Sequence, residues 1–529
     1  MDYVIRKRTT KINRNGVIRP LQLDCNGGLK VLEGERMELL SPASVAFHKP
    51  DFNIHVMAIF GIKTPVDIKL LKAKFPTSLC KHPRFSSVVE GDPSKGEELK
   101  WVRTEINLDK HIIAPKINSE DIESPNKFVE DYIYNLSKTT LDKSRPLWDI
   151  HVLNLKLSEE VEAITITRIH HSLGDGTSLI SLLLALTRKT SDPEALPTIP
   201  APKMRDGSDK KWKGCFWRWI SALWLVLKLF WNTSMDILMF VATTLFLKDN
   251  SPFKSSPSGG NASRRVVYKI FSLQDMKFVK NAIGATINDV ALGITQAGLS
   301  RYLSRKYENE GNNNEAAREK TKKYLNNIRL RSVLLVNIRP SGGIQDLADM
   351  MEKDAEAKWG NAVGYVLLPF ALGLHDDPLD YIRTAKTTVD KKKHSLEAIY
   401  TFFMAEVVMK FFGSKVASVI SDRINAHTTI AFSNLPGPLE EIGFYGLPLT
   451  FLAPTSYGQP HPVMINFLSY SNKMTIVLAV DEHTVPDPHQ LCDDIVESLK
   501  LIKDAVITQG LVKQDDSGMV QGCPPSQQS

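Results

Sequence analysis

Apolar residues recur along this chain with two different periods, and the period separates strands from helices. Residues 163–169 alternate as a half-buried strand does, whereas Leu179, Leu182, Leu183 and Leu186 within 178–189 recur at helical intervals. The same reading predicts strands over 53–60, 149–155, 265–272, 332–338, 428–433 and 473–479. Helices are expected over 64–74, with Pro65 at the first position, and from Thr286 through Val290, Leu292, Ile294, Ala297 and Leu303. One or two apolar helices are expected over 396–424, and a last one over 489–502 with Asp487 as its cap and Pro488 opening it.

Polar stretches punctuate these elements. Residues 1–36 and 511–529 read as flexible tails. Pro193, Pro197, Pro200 and Pro202 mark a linker, and 252–263, rich in Ser, Gly and Pro, marks another. Residues 308–323 read as a polar surface insertion. With 529 residues, the chain suits two domains of about 200 residues each, at 37–190 and 264–510.

Between them lies the most unusual composition in the chain, residues 215–247. The stretch is long enough to cross a bilayer, but Arg218, Lys228 and Asp236 interrupt it. Three readings stay open. It can span the membrane from about 219 to 240. It can lie in the interface, which Trp212, Trp217, Trp219, Trp224 and Trp231 would suit, or it can be an apolar crossover packed on the protein itself.

Charge changes this picture little. The net charge of +7 is modest for the size, and its densest basic stretches, 203–213, 301–331 and 386–393, resemble no nucleic-acid module. Beside a membrane segment they could lean on anionic headgroups. Cys25, Cys80, Cys215, Cys492 and Cys523 show neither metal nor disulfide spacing, which favours a reducing compartment. The N-terminus has basic residues without an apolar core behind them, unlike a secretory signal.

The candidate chemistry sits where the strand at 163–169 meets the helix that follows, at His170-His171-Ser172-Leu173-Gly174-Asp175-Gly176. Adjacent strand residues point to opposite faces, so one histidine can face a cavity while the other is packed or hydrogen-bonded. An imidazole there can act as general base for a hydroxyl acceptor. Asp175 could orient an imidazole or pair with an arginine, and Gly174 and Gly176 are expected to supply backbone angles closed to other residues. Arg339, at the end of the strand 332–338, is the strongest candidate partner for Asp175, because a guanidinium can hold a carboxylate by two bonds. Thr286 or Asn288 would cap its helix with Asp289 at the positive end.

HHSLGDG resembles the HHxxxDG motif of the wax ester synthase/diacylglycerol acyltransferase family, whose superfamily also holds plant soluble acyltransferases, chloramphenicol acetyltransferase and peptide-synthetase condensation domains. Pro146-Leu147-Trp148, Asn288-Asp289, Asn337-Ile338-Arg339-Pro340, Gly360-Asn361 and Ser433-Asn434-Leu435-Pro436-Gly437-Pro438 follow the family's order. The likeness runs from about 40 to 506 and is nearest to the plant, wax-synthase-like members. No DFGWG string of the soluble plant branch occurs.

The resemblance implies two chloramphenicol-acetyltransferase-like α/β domains around a substrate tunnel, with the apolar segment between them membrane-associated. It implies transfer of an acyl group from acyl-CoA, with His171 as base, His170 and Asp175 in support, and Gly176, Asn288, Asp289 and Arg339 around them. No metal or cofactor beyond the co-substrate acyl-CoA is expected. A long-chain alcohol is the favoured acceptor, giving wax ester, and a diacylglycerol giving triacylglycerol is the alternative. Other possibilities are a catalytically silent lipid-binding protein on the same fold and a soluble enzyme acylating a small alcohol. The expected location is the endoplasmic reticulum membrane with the active site toward the cytosol, and the plasma membrane is the alternative. Membrane lipids are expected as partners and nucleic acid is not.

Overall fold

A computed structural model of the protein describes residues 38–92, 95, 97–200, 215–253, 263–308, 315–338, 344–353, 359–361 and 363–511. The tails before 38 and after 511, most of the two linkers, and Arg339 lie outside the described residues.

Two large sheets carry the fold. The first runs in the order Ile112–Ile113, Trp148–Leu153, Ala163–His170, His55–Ile62, Leu447–Tyr457, Ile442–Phe444 and Thr187–Lys189. The second runs Val363–Phe370, Leu330–Asn337, Ile430–Leu435, Val463–Tyr470, Lys473–Val480 and Arg265–Ser272. The division at residue 190 therefore does not separate the sheets. Leu447–Tyr457 comes from the second half of the chain, yet pairs with His55–Ile62 from Tyr457 opposite His55 to Leu449 opposite Ile62. Without this crossing, the buried strand His55–Ile62 would end the sheet with a row of unpaired backbone groups.

Period-two alternation decides what each face of the first sheet does. Val56, Ala58, Phe60 and Ile62, with Thr165, Thr167 and Ile169 of the adjacent strand, line an apolar cavity. Their alternates Met57, Ile59, Ile164 and Ile166 are buried on the other face with Val129 and Ile133 of the helix Pro125–Ser137. Trp148, buried and donating its Nε1 proton to the Phe85 carbonyl at 2.8 Å, is the packing anchor its place beside a turn suggests.

Several boundaries differ from the pattern-based expectation. The helix after the motif is Gly176–Leu186, shorter than 178–189, because Thr187–Lys189 turns extended and pairs with Ile442–Phe444. The helix expected from Pro65 begins at Ile68, capped by Asp67, whose Oδ1 accepts from Lys69 N at 2.8 Å. The polar stretch taken for an insertion runs into a helix, Glu315–Asn326, whose Leu325 is fully buried. The segment 396–424 is one helical stretch, Glu397–Ala426, kinked at Gly413, where φ 78 and ψ 175 leave the helical region. That positive φ suits a residue without Cβ.

The segment between the domains forms a helix, Cys215–Leu245, of which the 27 residues Trp219–Leu245 are long and apolar enough to cross a membrane. Trp219, Trp224 and Trp231 are 73%, 68% and 66% exposed, which the packed-crossover reading does not explain. Of the two charges inside that span, Lys228 is exposed, whereas Asp236 turns back to the protein and accepts from Lys392 Nζ at 2.7 Å, and the same ammonium reaches Glu397 at 2.7 Å. The C-terminal end of this helix is held by Arg331, which donates to Thr243 Oγ1, to the Leu247 carbonyl at 2.8 Å and to Asp249 at 2.7 Å.

Candidate active site

Ala163–His170 ends at the motif, and the two histidines separate as strand geometry requires. His170 is buried on the Ile164 and Ile166 side. Its Nε2 lies 2.9 Å from Asn53 Oδ1 and 3.1 Å from the Phe47 carbonyl, and its Nδ1 lies 2.6 Å from Ser172 Oγ. Two acceptors on Nε2 place the proton there, so Nδ1 accepts from the Ser172 hydroxyl. His48 and His55 pack their rings 4.5 Å and 5.2 Å from His170. Burial and these neighbours hold the His170 imidazole well below its ordinary value. With both nitrogens engaged, His170 orients the turn and has no free nitrogen for a substrate proton.

His171 continues the line of Thr165, Thr167 and Ile169 and borders a second cavity of about 160 Å³. Its ring packs 4.5 Å from Phe47, and its Nδ1 is buried with no hydrogen-bond partner among the described residues. Burial pushes its pKa below 6.5, with Asp175 partly offsetting that shift, so the imidazole is neutral at pH 7 and can accept a proton.

Asp175 caps the motif helix: its Oδ1 accepts from Ser178 N at 2.8 Å. The other oxygen, Oδ2, is buried and unpartnered among the described residues. The glycines act through space and not through backbone angle, since neither Gly174 nor Gly176 has a positive φ. A Cβ on Gly174 would lie 2.8 Å from the Trp359 ring, and one on Gly176 would lie 3.2 Å from Leu435 Cδ1. Both contacts are with the second half of the chain, so close approach of the halves is what calls for glycine here.

That second half also fastens the turn. Asn361, buried, donates to the His171 carbonyl at 2.8 Å and to Ser44 Oγ at 3.0 Å, while Ser44 donates to the Ser172 carbonyl at 3.0 Å. Trp359 Nε1 donates to the Leu173 carbonyl. The Gly360-Asn361 pair stood out in the sequence, but its role could not be read there, because its partners lie about 190 residues away. Ser433, Thr455, Gln459, His461 and Asn466 form a polar wall of the His171 cavity. No local pattern marks them, since they come together only through strand pairing.

Other expected site residues are placed elsewhere. Asp289 closes a capping box with Thr286, accepting from Thr286 N at 2.7 Å while Thr286 Oγ1 accepts from Asp289 N at 3.3 Å. Thr286 is therefore the cap, and Asn288 is exposed, accepts from Asn434 Nδ2, and is not among the residues lining the His171 cavity. Arg339 lies outside the described residues, and so does its pairing with Asp175.

The His171 cavity joins the apolar one, about 160 Å³, through shared walls at Val56, Gly176, Leu435 and Pro454. Phe75, Phe85 and Trp148 line the apolar one. The arrangement sets a neutral imidazole with an unpartnered Nδ1 beside the polar wall, in a cavity that joins the apolar one.

Comparison with known proteins agrees with this geometry. Residues 45–291 match the wax ester synthase/diacylglycerol acyltransferase catalytic domain, and residues 359–503 match the WS/DGAT C-terminal domain. Wax ester synthase/diacylglycerol acyltransferase 11 of Arabidopsis thaliana is 46% identical over 90% of this chain and 96% of its own. Wax ester synthase/diacylglycerol acyltransferase 5 of the same plant is 44% identical over 95% and 98%. Among solved structures, the wax ester synthase/diacylglycerol acyltransferase from Marinobacter aquaeolei VT8 shares the fold with TM-score 0.54 at 14% identity, over 88% of this chain and 99% of that one. The first condensation domain of the CDA synthetase does so with TM-score 0.52 at 13% identity, over 89% and 97%. The chain belongs to the wax ester synthase/diacylglycerol acyltransferase family.

Proposed function

We propose that this protein is an acyl-CoA-dependent O-acyltransferase in which His171 takes the proton from an acceptor hydroxyl as that oxygen attacks the thioester carbonyl. The tetrahedral intermediate then expels the CoA thiolate, which takes the proton back from His171 and leaves an oxyester. The observation that carries this reading is the neutral His171 at the junction of the polar wall and the apolar cavity. A thioester is already activated, so the protein must mainly align two substrates and stabilise the oxyanion. Hydroxyl and amide donors of the polar wall, Ser433 and Asn466 among them, are suited to the latter. His170, Asp175 and Asn361 are positioning residues, and the chemistry needs no acyl-enzyme, metal or further cofactor.

The leading acceptor is a long-chain alcohol, giving wax ester, and a diacylglycerol giving triacylglycerol is the second reading, supported by the names of the relatives. A location on the endoplasmic reticulum membrane, with the site toward the cytosol, belongs to the same proposal. The exposed apolar helix supports the membrane part of that reading.

The test is an acyl transfer assay on microsomes holding wild type or His171→Ala, with labelled palmitoyl-CoA and with hexadecanol and diacylglycerol in competition. Wax ester from the wild type alone is expected. Triacylglycerol alone would make diacylglycerol the acceptor, and full turnover by folded His171→Ala would remove the base. Neither product from folded wild type would leave a silent lipid-binding protein.

A further inference from the structure

We infer that the seam between the apolar helix Cys215–Leu245 and the kinked helix Glu397–Ala426 is a lateral port, through which a neutral acceptor lipid passes from the bilayer to His171. The inference rests on the proposed reaction and adds a route and a second membrane-facing element to it.

The route is a series of cavities with shared walls. A space of about 210 Å³ lies between Phe240, Val241 and Leu245 of the apolar helix and Met404, Val408 and Ile420 of the kinked one. It shares Tyr365, Ala405, Ala417 and Ser421 with a second space of about 330 Å³. The second shares Phe52, Leu335, Val363 and Tyr365 with the His171 cavity. Tyr365, Ser418 and Ser421 along it offer hydroxyl groups to an alcohol in transit.

The exposed surface of the two helices is mostly apolar, with Lys228, Glu406, Lys410 and Lys415 exposed among its apolar residues. Phe403, Phe411 and Phe412 of the kinked helix are 57%, 71% and 66% exposed, and Val407, Val416 and Val419 are exposed beside them. Phe230 and Trp231 of the apolar helix add to the same exposed surface chemistry. So large an uncovered apolar surface on two packed helices marks a membrane contact. Among the described residues the apolar helix is tied at two places: Asn232, Thr233 and Asp236 meet the segment 391–397 at the start of the kinked helix, and Thr243 meets Arg331 and His427 at its end. Between these ties lie only the apolar walls and small hydroxyl groups of the first cavity, a contact that can part for an alkyl chain without breaking an ion pair. Gly413 adds a break in the kinked helix where a Cβ would meet nothing within 4 Å. An acyl-CoA, with its charged head, would gain nothing from such an entrance, whereas an alcohol dissolved in the bilayer needs one.

The test uses the full chain in phosphatidylcholine vesicles with palmitoyl-CoA, and measures the KM for vesicle-borne hexadecanol relative to the KM for soluble hexanol. Ala417→Trp, which narrows the passage, is expected to raise that ratio at least tenfold, and an unchanged ratio would overturn the port. Failure of the underlying reaction looks different: wild type would then acylate neither alcohol. Should Ala417→Trp not fold, a benzophenone-bearing residue substituted at Phe412 answers the same question. Photolysis is expected to give phospholipid adducts; adducts to a second copy or to another protein, or no lipid adduct, would overturn the proposal.

Discussion

Two regions of this protein are built from the same residue types and have opposite fates. Behind the motif, Phe75, Phe85, Trp148 and the leucines of Gly176–Leu186 line the apolar cavity. On the other side, Trp219, Trp224, Phe411 and Phe412 stand uncovered on two helices. Their polar groups differ in the matching way. Beside that cavity His171 Nδ1 and Asp175 Oδ2 have no partner among the described residues, whereas Asp236, the one acid of the apolar helix, is turned onto Lys392. A buried polar atom without a partner is costly, and beside a candidate site it is one that chemistry can use.

The sharpest way to break this comparison is to remove the base. His171→Ala is expected to lower kcat by about 10²- to 10⁴-fold, the usual share of general-base catalysis, with an unchanged circular dichroism spectrum. On the exposed side, Lys392→Met strands Asp236 and Glu397 in a half-buried site. Thermal unfolding should show a loss of about 3–5 kcal/mol, as for a buried pair deprived of one partner, while a matched loss from the exposed Lys410→Met would erase the distinction. Asn361→Ala leaves the His171 carbonyl without its donor and should cost about 1–3 kcal/mol. Its kcat should fall more than its KM changes, because it acts on the turn that carries His171. Smallest is the effect of pH. Because burial lowers the His171 pKa, the acid limb of kcat/KM should fall below pH 6.5, and a limb above that value would contradict the buried environment.

Acid should act on stability with the same sign. His48 and His55, held at about 4 and about 3 by burial, stay neutral in the fold while the unfolded chain takes up protons near 6.5. Stability is therefore expected to fall as the pH drops from about 6.5 toward 4, read as a declining Tm.

The strand-turn-helix around His171 was legible because period two and period 3.6 meet there, and because adjacent strand residues must face apart. The strand Arg265–Ser272 and the cap at Asp487 were legible for similar local reasons. The role of Asp175 as a helix cap was only half legible, since a carboxylate three residues before Ser178 can cap, pair or orient.

What the sequence determined by itself is local: which stretches are strand or helix, which of two histidines can face a cavity, and which segment is too apolar for water. Tertiary structure alone decided that Leu447–Tyr457 completes the first sheet, that Gly174 and Gly176 make room for Trp359 and Leu435, and that Asn361 holds the catalytic turn. It also decided that Asp236 faces Lys392 and not lipid. The physical reason is range. Periodicity and capping act within a few residues, while pairing, close approach and burial join groups far apart in the chain, and no local pattern encodes which distant groups will meet.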